Sequence, residues 1–276
     1  MTDVGPILIT GCSSGIGAAT AERLAGKGHL VYATARQIGT LAALAQAGCR
    51  TAAVDVTDEA SMTAAVDSIV AEHGRIGALV NNAGYGEYGA IEDVAIEKVR
   101  QQFETNVFGL VRMTQLVLPS MRQARAGRIV NIGSVGGRLT FPYGGYYHAT
   151  KHAVEALSDA LRFEVAPFGI QVSLFEPGTI ATEFAGTATA TLADATESAS
   201  PYREAAETMG TMINSMYKNR MMTIGPDAVA KVIEKALTAK HPQARYAVPA
   251  AAHGLIGARS MLPGRAWDAV MRTAMR

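Results

Sequence analysis

Tyr146, Tyr147, His148 and Lys151 fall within six positions, YYHATK, and each carries a side chain able to hold or release a proton. On a helix, residues four apart share a face with Cβ atoms about 5–6 Å apart, whereas residues five apart are rotated away from each other. Tyr147 precedes Lys151 by four and Tyr146 precedes it by five, so a helix here sets Tyr147 beside an ammonium group and turns Tyr146 elsewhere. A solvated helix face presents the same pair by chance, so the surroundings must decide what it does.

Those surroundings alternate. Short β-rich runs occur at Ile7 to Thr10, Leu30 to Ala35, Thr51 to Asp55, Ala78 to Asn81, Arg128 to Ser134 and Gln171 to Phe175. Between them lie apolar residues at helical spacing over Ala18 to Gly28, Thr40 to Ala47, Glu59 to His73, Ile96 to Arg125 and Tyr146 to Phe168. This order predicts βαβ units and a doubly wound parallel sheet, the Rossmann-type α/β class. Another helix starts at Gly225-Pro226 and ends before His241-Pro242, Arg245 to Val248 reads as an edge strand, and RAWDAVMRTAMR reads as one helix in the tail. The chain is expected to be one domain, 1–276, for dinucleotide binding and catalysis, with a lid insertion over 183–224 and a tail over 249–276.

In such a sheet, ligands bind beyond the carboxyl ends of the strands. The first strand runs into TGCSSGIG, where Gly11, Gly15 and Gly17 allow a tight turn and a close approach to a pyrophosphate. The helix opening there aims free N–H groups and its positive dipole end at an anion. The second strand ends Ala35-Arg36, so the acid that would hold a ribose 2′-hydroxyl is absent and a guanidinium follows. A carboxylate there would repel a 2′-phosphate, whereas Arg36 could bind one, which favours NADP over NAD. Other strands end in Asp55-Val56, Asn81-Asn82-Ala83-Gly84, Gly133-Ser134 and Glu176-Pro177-Gly178.

With TGCSSGIG, NNAG, ETNVFG, NIGSVGG, YHATK and EPGTIAT in this order, the chain resembles the short-chain dehydrogenase/reductase family. It looks most similar to the branch of 17β-hydroxysteroid and retinol dehydrogenases, through ITGCSSGIG, YATAR and GSVGG. The resemblance implies Tyr147 as catalytic acid/base, Ser134 as donor to the substrate oxygen, and Lys151 as the group that binds the nicotinamide ribose and lowers the tyrosine pKa. Asn106 would hold a water in the proton path. Ser13 and Arg36 would meet a 2′-phosphate, Asp55 the adenine, Asn82 the adenosine side, and Ile180 with Thr182 the carboxamide. The wider cofactor-contacting set is Gly11, Ser13, Ser14, Gly15, Ile16, Gly17, Arg36, Asp55, Val56, Asn82, Ala83, Gly84, Tyr147, Lys151, Pro177, Gly178, Ile180 and Thr182.

Hydride transfer to a carbonyl carbon leaves an alkoxide that must receive a proton. A free phenol titrates near 10, so acting near neutrality needs a drop of about 3 units, and one ammonium within about 4–6 Å supplies about 1–3. Tyr146 is expected to pack or line the pocket, and His148 to be a partly exposed helix residue. The expected function is an NADP(H)-dependent oxidoreductase acting on an apolar carbonyl or secondary alcohol, steroid-, retinoid- or ketone-like. An NAD-dependent member of the family and a catalytically silent cofactor-binding regulator are the alternatives.

Other classes are disfavoured. The 25 basic and 24 acidic residues nearly balance, and no basic run suggests nucleic acid. Two cysteines, Cys12 and Cys49, offer neither a disulfide framework nor metal spacing, and no metal is expected. No signal peptide or membrane span is read, which points to a cytoplasmic protein, and the family implies a homodimer or homotetramer. Small residues through Ala185 to Ser200 predict a mobile loop, and Ser200-Pro201 predicts the start of the next helix. Phe141, Tyr143, Phe184, Met209, Met212 and Met216 are candidates for an apolar pocket and its lid.

Overall fold

The computed structural model describes residues 4–196, 199–219, 223–249 and 251–274. Seven strands form one sheet: β1 Ile7–Ile9, β2 Val31–Ala35, β3 Arg50–Ala53, β4 Ala78–Asn81, β5 Gly127–Ile132, β6 Ile170–Pro177 and β7 Arg245–Val248. Their order is β3-β2-β1-β4-β5-β6-β7 and every pairing is parallel. The order reverses between β1 and β4, which opens a crevice above their carboxyl ends.

Both faces of the sheet are covered, so strand side chains alternate between two apolar layers rather than between core and water. Ile7 and Ile9 join Ala33, Val80 and Val130 in one layer, under helices α1 Gly15–Gly26 and α9 Pro226–Thr238. Leu8 joins Leu79, Ile129 and Val172 in the other, under α3 Glu59–His73 and α5 Gly109–Gln123. Ile7, Leu8 and Ile9 are all fully buried.

Helix α2, Ala42–Gln46, is a short element between β2 and β3. The run expected as one helix over Ile96 to Arg125 is α4 Ile96–Phe103, a π-helical turn Glu104–Phe108, and α5. One widened turn inserted in a helix re-aims a side chain inward, and here that residue is Asn106. Next comes α6, Gly145–Val165, the helix of YYHATK.

The expected loop over Ala185 to Ser200 is instead largely a helix, α7 Phe184–Ala195. Alanine carries the highest helix propensity, and the threonine hydroxyls bond back to carbonyls one turn earlier, Thr189 to Ala185 at 2.9 Å for example. Leu192 then packs with Ala206 and Met209 of α8, Arg203–Lys218, giving the pair an apolar seam. Helix α8 begins after Pro201 because the Ser200 hydroxyl accepts from the Tyr202 N–H and donates to Asp93, closing a separate turn. Residues 197, 198 and 220–222, inside the expected lid, lie outside the described residues. The tail holds two helices rather than one, α10 Ala251–Met261 and α11 Gly264–Ala274, divided at Pro263. No described helix is long and apolar enough to cross a membrane.

Candidate active site

The turn after β1 is built for a backbone approach. Gly11 has φ +69°, and a Cβ there would come within 2.8 Å of Ala83 Cα. A Cβ on Gly17 would meet Gly11 O and Asn82 Nδ2, each at 2.4 Å. Asn82 is the reason that space is closed: its Nδ2 donates to Thr10 O at 2.9 Å and Gly11 O at 2.8 Å, fastening the β4 loop to the glycine turn. Ser14 stands at the N-cap of α1 with an extended backbone, and its hydroxyl makes no cap bond. Thr182 flanks the same turn, its Cγ2 3.2 Å from where a Gly15 Cβ would lie.

Deeper in the crevice, Gly84 leaves room where a Cβ would stand 3.0 Å from Asn106 Oδ1 and 3.7 Å from Lys151 Nζ. Asn106 is buried, accepts from Tyr85 N at 3.0 Å and donates to Tyr85 O at 2.8 Å and Thr150 Oγ1 at 3.1 Å. Its amide therefore clamps the β4 loop to α6. Lys151 Nζ donates to Ile132 O at 2.8 Å and lies 5.8 Å from the centre of the Tyr147 ring. Ser134, just past β5, accepts from Gly136 N at 3.0 Å and reaches Pro177 O at 3.5 Å.

Burial sets the protonation states. It pushes the Tyr147 phenol up to about 12, against a hydrogen bond with Ser134 that pulls it down. It also brings Lys151 down to about 8. The tyrosine shift is opposite to the one expected beside an ammonium, because both groups lose water together and desolvation dominates each. The chain by itself thus holds Tyr147 as a neutral proton donor.

Aromatic rings close round it. Tyr88 stacks on Tyr147 with centroids 5.7 Å apart, Phe184 of α7 lies 5.2 Å away, and Tyr217 of α8 stacks on Phe184 at 6.5 Å. Tyr146 turns outward, its hydroxyl donating to Ile91 O at 2.9 Å beside Val94, Val99 and Ala195. His148 departs from the expected partly exposed position: it is 3% exposed, with Nδ1 3.0 Å from Gly136 O. Sequence reasoning also passed over Tyr88, whose place in the glycine-flanked run Gly84 to Gly89 was the available signal.

The crevice brings together the glycine turn, Asn82 to Gly84, Asn106, Ser134, Tyr147, Lys151 and Pro177 to Thr182. Arg36 and Asp55 stand further out, past the ends of β2 and β3. Arg36 is exposed; Asp55 Oδ1 already accepts from Thr57 N at 2.9 Å and Thr57 Oγ1 at 2.8 Å. Val56 is buried beneath α5, its carbonyl 2.5 Å from where a Gly109 Cβ would lie. A cradle closed to any Cβ, a helix N-terminus at its floor and a lysine further in fit a dinucleotide. Among the described residues no group of three or more His, Cys, Asp or Glu is placed to hold a metal ion.

Sheet order and crevice together define a dinucleotide-binding oxidoreductase of the Rossmann type. The family model described as short chain dehydrogenase matches residues 6–193, and the chain belongs to that family. It is 48% identical over 182 residues to a 3-ketodihydrosphingosine reductase of Bacteroides thetaiotaomicron, covering 64% of this chain and 65% of that protein, less than two thirds of its length. It is 34% identical over 274 residues to an NADPH-dependent 3-dehydrocapnine reductase of Ornithobacterium rhinotracheale, covering 95% and 94%. A crystal structure of a short chain dehydrogenase/reductase from Burkholderia phymatum in complex with NAD superposes with a TM-score of 0.80 at 26% identity, covering 93% of this chain and 94% of that one.

Proposed function

We propose that the protein reduces the carbonyl group of an apolar substrate with NADPH, and oxidises the matching secondary alcohol in reverse. The observation carrying this reading is Tyr147, a buried phenol close to Lys151 and walled by Tyr88 and Phe184. The glycine turn with Ser13 and Ser14, and the stretch Pro177, Gly178, Ile180 and Thr182, would hold the dinucleotide, which supplies the hydride when bound. Ser134 holds the substrate oxygen by donating its hydroxyl proton, and a donor of this kind is worth about 2.7–4 kcal/mol at a developing oxyanion. Tyr147 Oη gives that oxygen its proton, and Lys151 steadies the phenolate that remains. The aromatic wall excludes water from the exchange.

Exposed Arg36 after Ala35 supports NADPH over NADH, and so do the NADPH-dependent relative and the reduction direction in both relatives' names. Assembly through α5 and α6 is supported by apolar side chains left outside, Phe108 in the π-helical turn just before α5 at 54% and Phe163 of α6 at 72% exposure. Helices α7 and α8 act as a lid over the apolar pocket. The test is the loss of NADPH absorbance with a range of aliphatic, aromatic and steroidal ketones. Turnover of apolar ketones is expected. Tight NADPH binding with no turnover of any of them would point to the silent regulator instead.

A further inference from the structure

His148 carries a role that the catalytic set leaves out. Its ring is buried, with Nδ1 3.0 Å from Gly136 O. A carbonyl only accepts, so Nδ1 bears the ring proton and Nε2 is a bare lone pair, which has no hydrogen-bond partner. Burial brings the ring down to about 4, so it stays neutral and the tautomer persists through neutral pH. Gly136 is held at its other end too, since its N–H donates to Ser134 Oγ at 3.0 Å.

That second bond decides where the serine proton goes. With Oγ accepting from Gly136, the hydroxyl proton is left for Pro177 O, a long 3.5 Å away, for the Tyr147 phenol, or for a substrate oxygen. The segment joining these groups is Ser134-Val135-Gly136-Gly137, and two adjacent glycines give it the greatest backbone freedom to lose. The Gly137 N–H closes the turn on Ser134 O at 2.9 Å, and a group outside the segment ties that turn to the catalytic helix. His148 does so from α6, one residue after Tyr147, so the same helix sets the proton donor and aims the serine. No side chain fits between them: a Cβ on Gly136 would meet His148 Nδ1 at 2.6 Å and Ser134 Oγ at 3.3 Å.

We infer that His148 is a positioning residue, whose Nδ1–H holds the Gly136 carbonyl so that the Gly136 N–H orients the Ser134 hydroxyl toward the substrate oxygen. The inference rests on the reductase reading above, and the test separates the two. Four variants decide it: His148→Leu, His148→Asn, His148→Gln and Ser134→Ala, with His148→Leu also made in the Ser134→Ala background. Each is assayed for kcat and KM with NADPH and the best ketone, and for NADPH affinity by fluorescence.

Leucine should lower kcat about tenfold with NADPH affinity unchanged, since one aimed donor is loosened rather than removed. Asparagine offers its amide N–H where Nδ1 stood and should restore most of that loss. Glutamine puts its donor one carbon further out and should not. With Ser134→Ala already present, His148→Leu should cost less than twofold more, because a residue acting only through Ser134 has nothing left to aim. An equal loss in both backgrounds, or glutamine restoring activity where asparagine does not, would overturn the inference while leaving the reductase reading intact. Should leucine fail to fold, the contrast between asparagine and glutamine still decides. A wild-type protein that turns over no ketone removes the reductase reading, and this inference with it.

Discussion

Tyr88 lies over Tyr147 with ring planes inclined by only 29° and centroids 5.7 Å apart. The stack explains why the phenol is dry. Tyr88 is itself half-buried, and Phe184 meets both rings, at 6.4 Å from Tyr88 and 5.2 Å from Tyr147. Three rings from the β4 loop, α6 and α7 therefore pack against one another, and the last of them belongs to the proposed lid. Opening α7 would expose Tyr147 to water, and closing it would dry the phenol again.

That coupling makes the lid measurable. Helices α7 and α8 hold each other through Leu192, Ala206 and Met209, and α7 is tied to the β4 loop and α4 through side chains, Thr191 Oγ1 donating to Gly86 O at 3.3 Å and Lys98 pairing with Asp194. Amides of α7 should exchange with solvent faster than those of α1 or α5 in the free protein, and slow when NADPH and an unreactive ketone analogue are both bound. Hydrogen exchange read by mass spectrometry checks this. Identical exchange across α7 with and without the ligands would mean a permanently packed helix pair.

Cofactor choice should rest on Arg36. Changing it to alanine removes a partner of the 2′-phosphate alone, and charge-assisted bonds are worth about 1.5–3 kcal/mol. NADPH affinity should fall about ten- to a hundredfold while NADH affinity moves little. Fluorescence titration with both cofactors gives the answer, and equal losses would contradict the assignment.

Stability should depend on pH through Glu155. It is buried on the Lys151 face of α6, bonded to Arg245 at 2.9 Å and close to the equally buried Glu176. Burial and the second carboxylate raise its pKa from 4.5 to about 7, against the pull of Arg245. Between those values the folded chain binds more protons than the unfolded chain, so this contribution is present at low pH and is lost as pH rises through 7. Glutamine keeps the shape and the donor without the titration. Glu155→Gln should therefore be more stable than wild type by on the order of 1–3 kcal/mol at pH 8, and by much less at pH 5. Urea melts at the two pH values test the sign.

Much of this site could be read from the chain. The glycine turn was legible because it follows a strand and opens a helix, and helix geometry put Tyr147 and Tyr146 on different faces, while the family resemblance assigned the acid. Other parts depended on partners distant in sequence. The burial of His148 depends on the Gly136 carbonyl, and that of Glu155 on Glu176 and Arg245, which β6 and β7 bring to it. The π-helical turn that aims Asn106 inward left no mark in the hydrophobic spacing of Ile96 to Arg125. Small polar composition suggested a loop over Ala185 to Ser200, whereas threonine back-bonding and a seam against α8 made most of it a helix.

The central claim is that Tyr147 supplies the proton. Single-turnover oxidation of bound NADPH by the best ketone, compared between Tyr147→Phe and Tyr146→Phe, tests it most directly. Phenylalanine at 147 keeps the ring stack with Tyr88 and deletes only the hydroxyl. The rate should fall by at least about a hundredfold with NADPH affinity retained, whereas Tyr146→Phe should stay within a few-fold of wild type. A Tyr147→Phe protein that turns over normally, or a Tyr146→Phe protein that does not, would contradict the account.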